Sequence, residues 1–150
     1  MTRARRTSRG ACMTEPVAVV DTDVASALFR HQYLGRPLDT ALSATVHRYR
    51  PLISVITMGE ARYGMTKGKW GAERARRLIE LYHRTFVVLP VDEQVADEYG
   101  RLRAATEAVG RPVADNDLWI AATATAVDVA LVTLNRRHFE PLALHGLTLL

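Results

Sequence analysis

Val17-Ala18-Val19-Val20-Asp21 is the stretch from which the fold follows. A continuous, mostly β-branched run with no polar alternation must be covered on both faces, which is the habit of a strand inside a parallel sheet. Outward from it, short apolar runs alternate with stretches of helical period. After Pro37, the residues Leu38, Leu42, Val46 and Tyr49 mark one face of a helix that stops at Pro51. Residues 52–55 read as a second strand, and Thr57 with Glu60 three positions on opens another helix, closed by Gly64 and Gly68. Ala75, Leu78, Ile79 and Tyr82 give a further helical stripe before a strand at 86–89. Asp92 caps a helix that carries Val95, Tyr99, Leu102 and Thr106 and breaks at Gly110-Arg111-Pro112. An Ala-rich helix at 115–127, a strand at 129–133 and a short edge strand at 147–150 complete the pattern. Strands alternating with helices predict an α/β fold, a central parallel sheet flanked by helices on both faces.

The chain has 150 residues, 48% of them hydrophobic and 24% charged, which predicts one globular core rather than a disordered or disulfide-stapled chain. Residues 1–15 lack apolar periodicity and read as a disordered basic extension, with Met13 an alternative start. Residues 16–150 form the domain. The net charge is +4, but Arg3, Arg5, Arg6 and Arg9 lie in the extension, so residues 13–150 carry sixteen charges of each sign. The high isoelectric point by itself therefore argues no nucleic-acid partner. The single Cys12 allows no intramolecular disulfide and fits a reducing cytoplasm. The run 17–20 is too short for a signal-peptide core. Residues 118–134, interrupted by Asp128, are too short for a membrane span and read as buried helix plus buried strand.

In a parallel sheet, ligands bind beyond the carboxyl ends of the strands. Asp21 and Asp23 follow the first strand, Glu60 lies in the helix after the second, Asp115 and Asp117 open the late helix, and Asn135 follows the last strand. Carboxylates gathered at one edge repel unless a cation neutralises them. With no Cys or paired His among them, oxygen ligands favour Mg²⁺ or Mn²⁺ over zinc. Each residue also has a purely structural reading: an Asx-turn for Asp21, a helix N-cap for Asp23, a capping box for Glu60 and helix-dipole compensation for Asp115 and Asp117.

Four ordered segments narrow the choice. Val19 to Asp23, Ser54 to Gly64, Asp117 to Ala122 and Leu131 to Phe139 together resemble the motifs of PIN-domain ribonucleases, and most of all the VapC-type toxins of bacterial toxin–antitoxin modules. The resemblance spans residues 17–150. It implies a Mg²⁺-dependent endoribonuclease of a type II system that cuts structured RNA such as tRNA or rRNA and inhibits growth, with Asp21, Glu60 and Asp117 as its acidic metal site. It also implies a homodimer inhibited by a small antitoxin that covers the catalytic groove, the complex reaching operator DNA through the antitoxin, with no membrane partner. Where the family often has a fourth acid, this chain has Asn135 and His138. Asp23 or Asp115 is expected to supply the missing charge, Asn135 a carbonyl oxygen, and His138 a phosphate contact or packing beside Phe139.

Residues 62–84 carry seven Lys and Arg against Glu73 and Glu80, a basic stripe suited to an RNA backbone. Lys67, Lys69 and Trp70 are its best candidates, because Glu73–Arg77 and Glu80–Arg84 are spaced to form i,i+4 pairs. Tyr33, Leu34, Tyr63 and Met65 are candidates for partner surface. Two other readings compete: a haloacid-dehalogenase-type phosphatase using Asp21 as nucleophile and Asp23 as acid, and a PIN domain that binds RNA without cutting it.

Overall fold

The computed structural model describes residues 15–150; all but the last residue of the expected N-terminal extension, Cys12 and Met13 included, lies outside the described residues. Four parallel strands form one sheet in the order β3-β2-β1-β4: β1 is Val17–Val20, β2 Arg50–Ser54, β3 Val87–Leu89 and β4 Ala130–Val132. The helices are α1 Thr22–Leu34, α2 Thr40–Val46, α3 Val55–Lys67, α4 Ala72–Thr85, α5 Glu93–Ala108, α6 Asp115–Ala126 and α7 Arg136–Ala143.

Successive strand residues point to opposite faces, and two cores form accordingly. Ala18, Val20, Ile53 and Val132 face Val24, Met58, Met65, Leu78 and Tyr82. Val19, Leu52 and Leu131 face Leu102, Leu118, Ile120, Phe139 and Leu142. Each fully buried Leu, Ile or Phe contributes about 1.5–3 kcal/mol by leaving water, so β1, apolar on both faces, is the spine that both layers share.

Several boundaries differ from the sequence expectation, for local reasons. The helix expected to stop at Pro51 ends at Val46, and Pro51 lies inside β2. It is tolerated because β3 pairs with β2 only from Leu52 onward, so Pro51 has a single strand neighbour. Ser54 caps α3 by accepting the Ile56 N–H, so Thr57 is an interior, fully buried residue and no capping box forms with Glu60. The expected edge strand at 147–150 reduces to a single parallel bridge between Leu131 and Leu149. The apolar run 118–134 divides as expected into α6 and β4. Asp128, at φ 52, makes the left-handed turn between them, a conformation that Asp tolerates better than most residues.

Candidate active site

Parallel register brings the acids together. β1 pairs with β4 so that Val20 stands beside Val132, which leaves the next residues, Asp21 and Thr133, side by side at the carboxyl edge. Asp21 is held at every polar atom it has there. Its N–H donates to the Val132 carbonyl at 3.2 Å, Oδ1 accepts the Val24 N–H at 2.8 Å, and Oδ2 accepts the Thr133 hydroxyl. It is thus the N-cap of α1, the place the sequence offered to Asp23. Thr133 in turn accepts the Asn135 N–H at 2.9 Å. Burial of Asp21 pushes its carboxyl above the ordinary carboxylate value; the Thr133 and Val24 hydrogen bonds oppose that shift, and the charges of Asp23 and Asp117 add to it.

Around this fixed acid lies a cleft of about 200 Å³, lined by Asp21, Thr22, Asp23, Glu60, Asp117, Asn135, His138 and Phe139. Glu60 projects from α3, where Thr22 donates to Oε2 and Asn116 donates to Oε1 at 2.8 Å. Asp117, in the first turn of α6, meets His138 Nδ1 at 3.1 Å. Its carboxyl is also pushed up, first by burial and further by Glu60 and Asp23, with His138 working the other way. Asp23 is exposed and accepts from the Asn135 side chain. Every acid of the cleft therefore has a neutral or imidazole donor of its own.

Five of the six residues singled out from the sequence share this cleft. Asp115 does not. It is the first residue of α6, whose N-cap is Ala114 without a side-chain bond, and its carboxylate turns toward α5, accepting from Tyr99 at 3.1 Å and Arg103 at 3.0 Å. Any added negative charge at the cleft thus comes from Asp23, not Asp115. The sequence reading passed over Thr22 and Asn116 as donors and gave His138 no link to Asp117. The one signal was Asn116 standing between two acids, since a polar first turn at the sheet edge places all three near the strand ends.

Residues 18–143 match the PIN domain. The chain belongs to the PIN-domain family. It is 37% identical over 122 residues to ribonuclease VapC5 of Mycobacterium tuberculosis, covering 80% of this chain and 84% of that protein. VapBC-1 from nontypeable Haemophilus influenzae superposes with a TM-score of 0.69 at 26% identity, covering 89% of this chain and 96% of the other. DNA-bound VapBC from Salmonella typhimurium gives 0.69 at 26% identity, covering 90% and 97%. Within the family, the chain is VapC-type.

PIN-domain ribonucleases generally depend on a divalent metal, and the cleft of this VapC-type chain fits one by its donor chemistry. It offers hard carboxylate and amide oxygens, and two of its acids, Asp21 and Asp117, are raised first by burial and further by neighbouring carboxylates, a burden that a cation would relieve. Among the described residues, no three His, Cys, Asp or Glu side chains already stand as a ready ligand cluster. Asp21 is buried, whereas Glu60 is partly exposed and Asp23 exposed, each held by neutral donors that an ion would have to share or displace. The phosphatase reading is set aside by the match of residues 18–143 to the PIN domain. No helix among the described residues is long and apolar enough to cross a membrane.

Proposed function

We propose that this chain is a Mg²⁺-dependent endoribonuclease toxin of a VapBC-type module, with Asp21, Glu60 and Asp117 as metal-holding and catalytic acids and Asp23 and Asn135 in support. The observation that carries the proposal is the single cleft that receives all three acids from separate parts of the chain. A bound divalent ion supplies charge neutralisation on a phosphodiester and activation of an attacking water; Mn²⁺ suits the same donors. Asp21 is the rigid member, locked between β1, α1 and Thr133. Asp117 and Glu60 close the cleft from α6 and α3. His138 orients Asp117 through Nδ1, and Asn116 and Thr22 orient Glu60. The substrate class is structured RNA, tRNA or rRNA.

The partner is a small antitoxin. Beside the cleft, sharing Thr22 and Glu60 as its wall, lies a groove of about 390 Å³ between α1, α3 and α4, lined mainly by Phe29, Met65, Trp70, Leu78 and Tyr82. An apolar antitoxin segment seated there would reach the acids and block them. Met65, expected on the surface, is buried in this wall, while Leu34 and Tyr63 are exposed. The toxin works as a homodimer in the cytoplasm, and operator DNA is met through the antitoxin.

The test uses partner-free protein with labelled total RNA, Mg²⁺ or Mn²⁺, an EDTA control, and the variants Asp21→Asn and Asp117→Asn. Discrete metal-dependent cuts that both substitutions abolish are expected. Binding without cleavage would sustain the non-catalytic reading that Asn135 and His138 prompted.

A further inference from the structure

The sequence pointed to the α3–α4 stripe as the track for RNA; the structure engages its α4 members Arg74, Arg76 and Arg77 and leaves Arg62, Lys67, Lys69 and Arg84 outside ion pairs among the described residues. None of these four lines the acidic cleft or the hollow beside Asp117. Arg76 pairs with both Glu73 and Glu80, Arg77 pairs with Glu73 at 3.0 Å, and Arg74 lies 3.7 Å above the Trp70 ring. Glu80 takes Arg76 rather than the expected Arg84. On α5, Arg101 pairs with Glu98, and Arg103 with Glu107 and Asp115. Arg137 differs from these engaged cations. It is exposed at the start of α7 and has no ion-pair partner among the described residues.

Its position gives that free charge a use. A second hollow of about 300 Å³, lined by Pro112, Val113, Ala114, Arg137 and Pro141, shares Asp117 and His138 with the acidic cleft. The two hollows are one continuous surface with an acidic half and a cationic half. A nucleic-acid strand whose scissile phosphate enters the acidic half brings its neighbouring phosphates along. The four carboxylates of the cleft repel those phosphates even after a divalent ion has offset two charges. A guanidinium in the adjoining hollow offers a bidentate partner to one of them, and Pro112, Val113 and Pro141 form an apolar floor that holds no competing carboxylate except Asp117, already engaged by His138.

We propose that Arg137 binds the backbone phosphate next to the scissile one, making the hollow between the start of α6 and α7 a phosphate subsite of the nuclease. The assignment rests on the nuclease reading above for which phosphate is scissile, but the cation–phosphate contact is measurable without cleavage.

The test measures binding of a short labelled single-stranded RNA to the full chain by fluorescence anisotropy across a salt series, with Mg²⁺, in an Asp21→Asn background. Adding Arg137→Ala is expected to weaken binding roughly ten-fold at low salt and to lower the slope of log affinity against log salt by about 0.7, one single-strand phosphate contact. Arg137→Lys should keep most of the slope, because it keeps the charge. Arg77→Ala, which alters a paired cation on α4, should change neither quantity. Should Arg137→Ala fold poorly by thermal melt, Arg137→Gln takes its place. In the cleaving protein the same substitution should raise KM with kcat little changed.

An unchanged slope in Arg137→Ala overturns the subsite, and so does an equal fall in Arg77→Ala, which would mean diffuse charge. RNA binding that depends on Arg137 in a protein that cuts nothing would fell the nuclease reading and leave the subsite standing. Cleavage with KM and slope indifferent to Arg137 would fell the subsite alone, and a parent that binds no RNA would fell both.

Discussion

The acidic cleft has two flanks, and they are built from different materials. On the Thr22–Glu60 side lies the groove of about 390 Å³ with Phe29, Met65, Trp70, Leu78 and Tyr82, where Arg74 is stacked on Trp70. On the Asp117–His138 side lies the hollow of about 300 Å³ with Arg137 unpaired among the described residues. Aromatic and apolar walls bury side chains of a peptide, whereas an unpaired guanidinium beside a shallow floor suits an anion. On the proposed reading, one end of the site takes an apolar antitoxin segment and the other a phosphate, with the acids between them.

The largest effects should fall on the wall that both flanks share. Asp21→Asn is expected to take cleavage to background, measured on labelled RNA, while making the metal-free protein more stable. Burial holds the Asp21 carboxyl above its ordinary value in the folded chain, so the fold binds that proton more tightly than the unfolded chain does. The stability it provides is present in acid and is lost as pH rises through the raised value. Asn keeps the cap to Val24 and stays neutral throughout. Thermal melts in EDTA should therefore show wild type falling below the variant between acid and neutral pH, by about 2–4 °C for each kcal/mol recovered. Equal melting curves at all pH values would mean that Asp21 is not strained by burial.

Next in size is Thr133→Val. The hydroxyl is buried, donates to Asp21 and accepts from Asn135 N–H. Removing it leaves a buried carboxylate short of a donor and an N–H without an acceptor, which costs about 1–3 kcal/mol for each unsatisfied group. A denaturant midpoint that hardly moves, with cleavage intact, would show that the shared wall tolerates a loose Asp21 and that the comparison of the flanks does not depend on it.

How far the sequence anticipated this arrangement depends on the range of the signal. The strand Val17–Val20, the cap at Asp92 and the layers on both faces were legible because each follows from local period or from a residue's own hydrogen-bonding habit. The place of Asp21 was legible too, but its role as cap was given to Asp23, because one-residue register at a strand end is set by pairing with Val132, which spacing cannot show. Glu60 read as a cap for the same reason: Thr57 and Glu60 have the right separation, yet Ser54 takes the cap one turn earlier. Asp115 and Asp117 were told apart in sequence chiefly by the resemblance, which selected Asp117. Two positions apart on a helix, they point some 200° apart at 3.6 residues per turn, one to α5 and one to the cleft. The link between His138 and Asp117, twenty-one residues apart, had no local signature at all.

Trp70→Ala sharpens the comparison from the other flank. The ring lines the apolar groove, packs against Gly68 and supports Arg74. Its loss should weaken the complex with a co-expressed antitoxin, read by co-purification, and lower stability by about 1–2 kcal/mol, less than a fully buried aromatic would cost because Trp70 is half-exposed. The salt dependence of RNA binding should stay where it was. A Trp70→Ala protein that keeps its antitoxin but loses RNA would exchange the roles of the two flanks, placing stacked bases where the apolar segment has been put.

The smallest effect is expected from Arg77→Ala. Its partner Glu73 also pairs with Arg76, and both members of the pair are well exposed, with side-chain exposures of 71% and 61%. Exposed i,i+4 pairs contribute about 0.3–0.5 kcal/mol, and Arg76 remains to hold Glu73, so the melting temperature should move by no more than about 1–2 °C. The informative quantity is the RNA salt slope. Were the α4 stripe the track for the backbone, deleting one of its cations would lower the slope as much as deleting Arg137, however little the fold noticed. A slope unchanged in Arg77→Ala and lowered in Arg137→Ala separates a cation that holds a helix together from one that faces the substrate.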